Sequence, residues 1–275
     1  MSRRRQGLLY VGIKRKCCVA KIDCYMYVSS LKIIYPFLKR LSMSDSCRWL
    51  HEQLEQLPLI RFPFKLDQLP EKGIYFFYED GEVWGHGGDK PRIVRIGTHK
   101  NGNLRSRIKE HYLLDKSWMN FNENKPKPSD RSIFRKNIGR ALLNRDKDSY
   151  LQIWNINFIR SRNKELFRSK RNIEKEKRVE EMITRIIREK FSFRFIILDS
   201  QKERKRLERS LIGTVAQCKL CKPSANWLGN YSPIQKIRES GLWLVHYLKA
   251  NPINENDKEV ILNAIRKTRE WLGIT

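Results

Sequence analysis

Acidic residues are scarce in this sequence. Its 275 residues include 30 Asp and Glu against 57 Lys and Arg, which leaves a formal net charge of +27 and a pI of about 10.1. An excess of this size favours a polyanionic partner. Nucleic acid is the first candidate and an anionic membrane surface is the second. A surface charge that only keeps the protein soluble is the alternative without a partner.

Long apolar runs are missing as well. The best one covers residues 30–38, and it is short and interrupted by Lys32. We therefore expect no membrane-spanning segment. No internal repeat is visible, which argues against a solenoid. The chain length suggests one large domain, or one domain with appendages, and 40% hydrophobic residues with seven Trp can form its core.

A regular cysteine framework is also absent, although the chain has six cysteines. With no secretory signal visible, they are typical of reduced thiols, so we expect a cytoplasmic protein that associates with the nucleoid when bound to DNA. Cys218 and Cys221 have the spacing of a metal-ligand pair, but one pair cannot complete a tetrahedral zinc site. A second CxxC is lacking, and His246 is the only histidine after His111. The sequence thus favours free thiols over zinc.

Residues 1–42 differ from the rest of the chain. They contain ten Lys or Arg and one acid, Asp23, with no clear period. A transit peptide has partly this composition, and so does upstream sequence translated by mistake. Good helix chemistry begins at Met43. We therefore expect residues 1–42 to lie outside the fold, with residues 43–69 as an N-terminal helix and lead-in.

The order of the predicted elements indicates an α+β fold. Residues 74–78 fit a strand that is buried on both faces, and Asp80-Gly81 is a hairpin signal. A glycine-rich loop then precedes a second strand at residues 92–97. Leu104, Ile108 and Tyr112 share one face of the helix that follows. A third strand follows at residues 191–199. We predict a small antiparallel or mixed three-stranded sheet flanked by helices, with helical insertions and a helical C-terminus.

Several short motifs occur in an order that resembles the GIY-YIG nuclease domain. They are GIY at residues 73–75, RIG at 95–97, LRSRIKEH at 104–111 and LERSLI at 207–212. The segments SIFRKNIGRAL, SANWLG and SGLW are similar to those of a stand-alone bacterial branch of this family. The resemblance covers residues 70–230, with a helical insertion at about 115–178 and a C-terminal helical extension at 231–275. The sequence departs from the family at Arg95, which stands where the family has tyrosine.

The resemblance implies a role for several residues. In the family, the helix after the second motif carries an arginine and then a histidine, which are Arg107 and His111 in this sequence. A later helix carries a metal-binding glutamate, which corresponds to Glu208, and an asparagine downstream corresponds to Asn226. The implied cofactor is Mg²⁺ or Mn²⁺, because Mg²⁺ prefers oxygen ligands.

The chemistry of phosphodiester hydrolysis agrees with these assignments. Arg107 has a planar fork that can bind two phosphate oxygens. Either Tyr75 or His111 would deprotonate the attacking water. A free phenol is a weak acid, so Tyr75 would need help from a cation. Further candidate phosphate contacts are Arg95, His99, Arg105 and Asn226.

Three functions remain open at this point. The first is a Mg²⁺-dependent endonuclease that acts on DNA. The second is a catalytically inactive nucleic-acid-binding module, and Arg95 in place of tyrosine keeps it open. A third is an RNA binder, since charge alone does not separate RNA from DNA. The basic residues 160–178 could follow a nucleic-acid backbone, or they could form a solvated helix face.

Overall fold

The computed structural model describes residues 44–99 and 103–274, so the expectation for residues 1–42 lies outside the described residues. Within the described part, the first helix, α1, covers residues 44–54. The strands are β1 (Ile60–Arg61), β2 (Ile74–Val83), β3 (Pro91–Thr98) and β4 (Phe191–Ile196). The other helices are α2 (Leu104–Tyr112), α3 (Pro128–Arg131), α4 (Ile133–Arg145), α5 (Leu151–Asn155), α6 (Ser161–Phe167), α7 (Ile173–Lys190), α8 (Gln201–Gln217), α9 (Gln235–Ser240) and α10 (Glu255–Leu272).

The four strands form one antiparallel sheet in the order β1-β4-β2-β3. This confirms the α+β class and the three predicted strands. The sheet has one strand more than predicted, because β1 pairs with β4 through Ile60 and Phe193. A strand of two residues is too short to show a period in the sequence. Since β3 lies at an edge of the sheet, its outer side is open to other segments.

The turn between β2 and β3 lies later than the hairpin signal predicts. Strand β2 continues through Asp80 and Gly81 as far as Val83. Gly81 has a φ of 85°, and the strand register shifts between Tyr78 and Val83. These features are those of a β-bulge, which glycine accommodates without a steric penalty. The loop itself is residues 84–90, closed by a hydrogen bond of 3.0 Å from Trp84 N to Lys90 O.

The alternation of side chains along β2 divides the core into two layers. Tyr75 and Phe77 belong to the layer that also includes residues of α2, α4 and α7. Ile74 belongs to the layer that includes residues of α1, α8 and α10. Leu50 of α1 and Ile261 of α10 therefore share one core with the sheet, while the domain boundaries at residues 69/70 and 230/231 stay predictions. As a consequence, Tyr75 faces α2 and α4.

One segment of the helical insertion, around Trp154, forms the helix α5 although its sequence also fits a strand. The Trp154 indole is buried, donates a hydrogen bond of 3.2 Å to Lys136 O, and packs where Gly139 leaves room on α4. Packing of this large ring outweighs the local strand preference. Among the described residues, no helix is both long enough and apolar enough to cross a membrane.

A buried carboxylate joins β2 to the segments on both sides of α9. The indole N–H groups of Trp227 and Trp243 each donate a hydrogen bond to Oε2 of Glu79, at 2.8 and 2.9 Å. Glu79 is 7% exposed, and its burial raises its pKa to about 7, although the two indole N–H groups act in the opposite direction. The folded protein therefore holds a proton on Glu79 more tightly than the unfolded chain does.

Glu79→Gln should remove one pH dependence of stability. Folding raises the pKa of Glu79 from 4.5 to about 7. Glu79 therefore makes its full contribution to the stability of the wild type below pH 4.5, and this contribution is lost as the pH rises through 7. The free energy of unfolding that is lost in this way is about 3 kcal/mol at most. Urea unfolding of both proteins from pH 4 to 8 should show that the glutamine variant gains stability relative to the wild type over this window. A constant difference across the window would contradict the prediction.

Candidate active site

Tyr75 and Gly97 face each other across β2 and β3. A Cβ atom at Gly97 would lie 2.3 Å from the hydroxyl oxygen of Tyr75 and 2.5 Å from Cζ. The tyrosine ring therefore lies across the strand backbone in a space that only glycine leaves free. The tyrosine of GIY and the glycine of RIG thus define one contact, and this contact fixes the direction of the Tyr75 hydroxyl.

His111 lies on the last turn of α2, and its ring connects two hydroxyl groups. Its Nε2 is 2.9 Å from the Tyr75 hydroxyl, and its Nδ1 is 2.9 Å from Ser132 Oγ. Helix α2 begins at a capping box formed by Asn103 and Ser106. Ser132 is the N-cap of α4, and its Oγ accepts a hydrogen bond from Arg135 N. Two helix termini therefore hold the Tyr75–His111 pair in place.

Burial is the main reason why the pKa of His111 is well below its ordinary value, and the charges of Arg107, Arg95 and Arg135 add to this effect. The imidazole is therefore neutral at physiological pH. A neutral imidazole donates with one nitrogen and accepts with the other. His111 can consequently take a proton from one hydroxyl while it donates to the other.

Glu208 approaches the same region from α8, which packs against β3. Its Oε1 accepts a hydrogen bond of 3.1 Å from Thr98 N, one residue after Gly97. Burial raises the pKa of Glu208, while the Thr98 N–H, Arg95 and Arg107 counteract the rise. Among the described residues, no donor is bonded to Oε2 of Glu208, so this oxygen can bind a metal ion.

Arg107 and Arg95 bring positive charge to both acid–base groups. Arg107 lies on α2, one turn before His111, and is half-buried in an ion pair with Glu110. Its charge affects both His111 and Glu208. Since Glu110 is on the same partly exposed helix turn, the guanidinium can exchange this partner for a phosphate.

Arg95 is buried, with 5% of its surface exposed. Its Nη1 donates a hydrogen bond of 2.7 Å to Trp243 O, and its guanidinium carbon lies 5.1 Å from the centre of the Phe134 ring. Within residues 44–99 and 103–274, Nε has no hydrogen-bond partner. Arg95 thus adds a positive charge to the face on which the Tyr75 ring lies, at the position where the resemblance calls for a second phenol.

Arg135 supports the site from below, and the sequence pattern did not single it out. Its Nη1 donates to His111 O at 3.1 Å, and its Nη2 pairs with Glu180 Oε2 at 2.7 Å. Glu180 Oε1 also accepts from Ser129 N at 2.7 Å. All of these groups are buried. The pair therefore connects α7 and α4 to the end of α2, and the only local signal for it is an arginine on an apolar helix face.

The structure brings five of the predicted residues together and gives other surroundings to the remaining three. Arg105 donates to Leu69 O at 2.6 Å, which ties α2 to the segment before β2. His99 is buried directly after β3. Asn226 is exposed in the turn before residues 228–231. The five that share one region are Tyr75, Arg95, Arg107, His111 and Glu208.

Gly97→Ala should disturb the site through packing alone. The added methyl group would overlap the Tyr75 ring, so we expect a loss of about 1–3 kcal/mol in the free energy of unfolding. A double-mutant cycle with Tyr75→Ala, measured by urea unfolding, isolates the contact. The cost of Gly97→Ala should be much smaller when Tyr75 is already alanine. Equal costs in both backgrounds would show that the tyrosine ring does not lie across Gly97.

Comparison with known proteins agrees with this arrangement. A family model described as GIY-YIG domain matches residues 46–270. No curated protein and no solved structure matches the chain. Members of the matched family are generally endonucleases, which indicates a nuclease-type or nucleic-acid-binding function. The match covers most of the sequence, and the chain belongs to the GIY-YIG domain family.

Proposed function

We propose that this protein is a divalent-metal-dependent endonuclease that hydrolyses phosphodiester bonds of DNA. The observation that carries the proposal is the meeting of a carboxylate, two guanidinium groups and a Tyr–His pair along β3. Each of these groups supplies something that the reaction needs. The net charge of +27 adds a general attraction for the polyanionic substrate.

Glu208 is suited to hold Mg²⁺ or Mn²⁺. One carboxylate is a sufficient protein ligand for Mg²⁺, which keeps several water molecules. Its Oε2 accepts no hydrogen bond from the described residues, while Thr98 N fixes Oε1. When bound, the ion supplies a Lewis acid for the charge on the phosphate oxygens. Arg107 holds the scissile phosphate by its planar guanidinium fork and releases Glu110 as it does so.

Tyr75 is the group that we assign as proton acceptor for the attacking water. Both ring nitrogens of His111 are already bonded to hydroxyl groups. His111 therefore acts on the Tyr75 hydroxyl and has no free nitrogen for a water molecule. As Tyr75 takes the proton of the water, its own proton passes to Nε2 of the neutral His111. Because burial and the nearby arginines disfavour the imidazolium, His111 holds this proton only for the duration of the step. Ser132 then accepts the hydrogen bond from Nδ1–H.

The exposed basic residues of the insertion are suited to bind the rest of the nucleic acid. Helix α6 and the residues on both sides of it carry exposed arginine and lysine side chains, whereas Arg171 is buried against Glu176. Contacts of this kind bind phosphates without reading sequence. The exposed group consists of Arg160, Arg162, Arg168 and Lys170.

The second candidate function is nucleic-acid binding without cleavage. Arg95 favours it, because the family position holds tyrosine and the arginine is buried on Trp243 O and Phe134. A guanidinium cannot accept a proton at physiological pH. In the endonuclease that we propose, Arg95 instead stabilises phosphate charge next to Arg107.

Glu208→Gln should abolish cleavage of supercoiled plasmid in Mg²⁺, because the neutral amide lacks the charge that binds the metal. Arg107→Lys should reduce the rate about 10²–10³-fold, since one point charge replaces the fork. The measurement is a single-turnover time course, with and without Mg²⁺, on a purified full chain. Glu203→Gln, on the same helix, is the charge-matched control and should retain the wild-type rate.

Cleavage that survives both Glu208→Gln and Arg107→Lys would refute this assignment. Tight binding of DNA without cleavage by the wild type would favour the inactive module. The same series on an RNA of equal length decides between the two nucleic acids.

Substitutions of Arg95 distinguish between two hypotheses: that Arg95 binds the phosphate, and that Arg95 in place of tyrosine has abolished the activity. If Arg95 binds phosphate, Arg95→Gln should lower the cleavage rate about 10²-fold and leave folding largely intact, because the amide can still donate to Trp243 O. Arg95→Tyr should then also be slower than the wild type. Circular dichroism and the melting temperature check the fold of each variant. A gain of cleavage in Arg95→Tyr over an inert wild type would show instead that Arg95 marks the loss of activity.

A further inference from the structure

Four metal-ligand side chains meet on the opposite side of the sheet core from Tyr75. Cys47 comes from α1, His86 from the β2–β3 loop, Cys218 from the end of α8, and Cys221 from the segment after it. Their ligand atoms all lie within 4.8 Å of one another. We propose that these residues form a structural zinc site with three cysteine ligands and one histidine ligand.

The distances agree with a tetrahedral ion. With Zn–S bonds of about 2.3 Å, two sulfur ligands are about 3.8 Å apart, and with a Zn–N bond of about 2.0–2.1 Å a sulfur and a nitrogen are about 3.5 Å apart. The Sγ atoms of Cys47 and Cys221 are 3.8 Å apart, and Cys218 Sγ lies 3.5 Å from Nε2 of His86. Two edges of the group thus have the lengths that zinc requires.

His51 lies beside the group but is occupied as part of its support. Its Nδ1 is 2.9 Å from Cys47 O, and its Nε2 accepts a hydrogen bond of 3.2 Å from Ile93 N. The backbone N–H can only donate, so Nε2 is the acceptor and Nδ1 carries the proton. Neither nitrogen is then left for a metal. The fourth ligand is consequently His86, and His51 anchors the backbone that carries Cys47.

The glycine-rich loop is shaped to deliver His86. Gly87 and Gly88 have φ values of 95° and 75°, which glycine adopts without strain. A Cβ atom at Gly85 would lie 2.0 Å from Leu220 O, so the loop packs directly on the backbone between the two cysteines of the CKLC segment. Gly85 N also donates to Cys221 Sγ at 3.5 Å. Such N–H···S bonds favour a thiolate sulfur.

A disulfide and plain packing of free thiols both fit this geometry less well than zinc. A disulfide needs sulfur atoms about 2.05 Å apart, and Cys47 and Cys221 are at 3.8 Å. Apolar packing of buried thiols does not require a half-buried imidazole to point its nitrogen at them. The proposed site thus differs from the free thiols that the sequence favours. The spacing pattern did not include Cys47, because it is 171 positions before Cys218 (218 − 47) and no local motif connects them.

The zinc site is distinct from the metal position that we assign to Glu208. The two sites lie on the same helix, with Glu208 ten residues before Cys218, which is about 15 Å along an α-helix. Soft thiolate ligands select zinc, and a lone carboxylate suits Mg²⁺. The zinc joins α1 and the β2–β3 loop to the end of α8, so its role is to stabilise the fold that places Glu208.

Elemental analysis and X-ray absorption of the full chain, purified from zinc-supplemented medium, test the proposal. We expect about one zinc per chain, bound by about three sulfur atoms at about 2.3 Å and one nitrogen at about 2.0–2.1 Å. A chelator that removes the zinc should lower the melting temperature by about 10 °C. Cys218→Ser with Cys221→Ser should reduce the zinc content at least tenfold.

Matched variants keep the test valid even if that double variant fails to fold. His86→Asn retains three thiolates and should lose the nitrogen from the absorption spectrum, whereas His246→Asn, an exposed histidine, should leave it unchanged. Glu208→Gln should retain its zinc, which separates this site from the proposed catalytic metal. Zinc below a tenth per chain in the wild type, or a spectrum without sulfur ligands, would overturn the proposal.

Discussion

The close approach of the Tyr75 ring to the backbone of Gly97 is the contact on which the candidate active site depends. It requires β2 and β3 to pair in one register, since a shift by one residue would move Tyr75 to the opposite face of the sheet. In the observed register the hydroxyl reaches His111, and His111 in turn reaches Ser132. The sheet, α2 and α4 are thereby aligned through one line of polar contacts inside an aromatic core.

Electrostatics then gives these groups their protonation states. Arg95 and Arg107 lie close enough to His111 and Glu208 to disfavour the imidazolium and to favour the carboxylate. Burial disfavours the ionised form of each group, so it lowers the pKa of His111 and raises the pKa of Glu208. The arginines lower the pKa of both groups. They therefore add to the effect of burial at His111 and oppose it at Glu208. The pKa of His111 is therefore lowered by both effects, whereas the pKa of Glu208 is raised by less than burial alone would raise it.

Much of the fold could be predicted from the sequence, and so could the five residues that lie together in the candidate site, because local patterns carry them. The alternation in β2, the helix from Leu104 to Tyr112 and the order of the motifs are all read within short windows. The support of the site is not local. Arg135 binds Glu180 across 45 positions, and the only sign of it in the neighbouring sequence is an arginine on an apolar helix face. The bulge at Gly81 likewise depends on how β2 pairs.

The cysteines show the same limit most clearly. A CxxC pair predicts a metal only when a second pair of ligands is visible, and here the other two arrive from α1 and from a glycine-rich loop. In the sequence, the glycines of that loop indicate a flexible segment. In the structure, however, Gly85 allows the loop to pack closely against Leu220 O. Because α8 carries Cys218 at its end and Glu208 in its middle, an ion at the cysteines would fix the helix against the loop between β2 and β3. The loop and the carboxylate that we propose as the metal ligand would then belong to one mechanical unit.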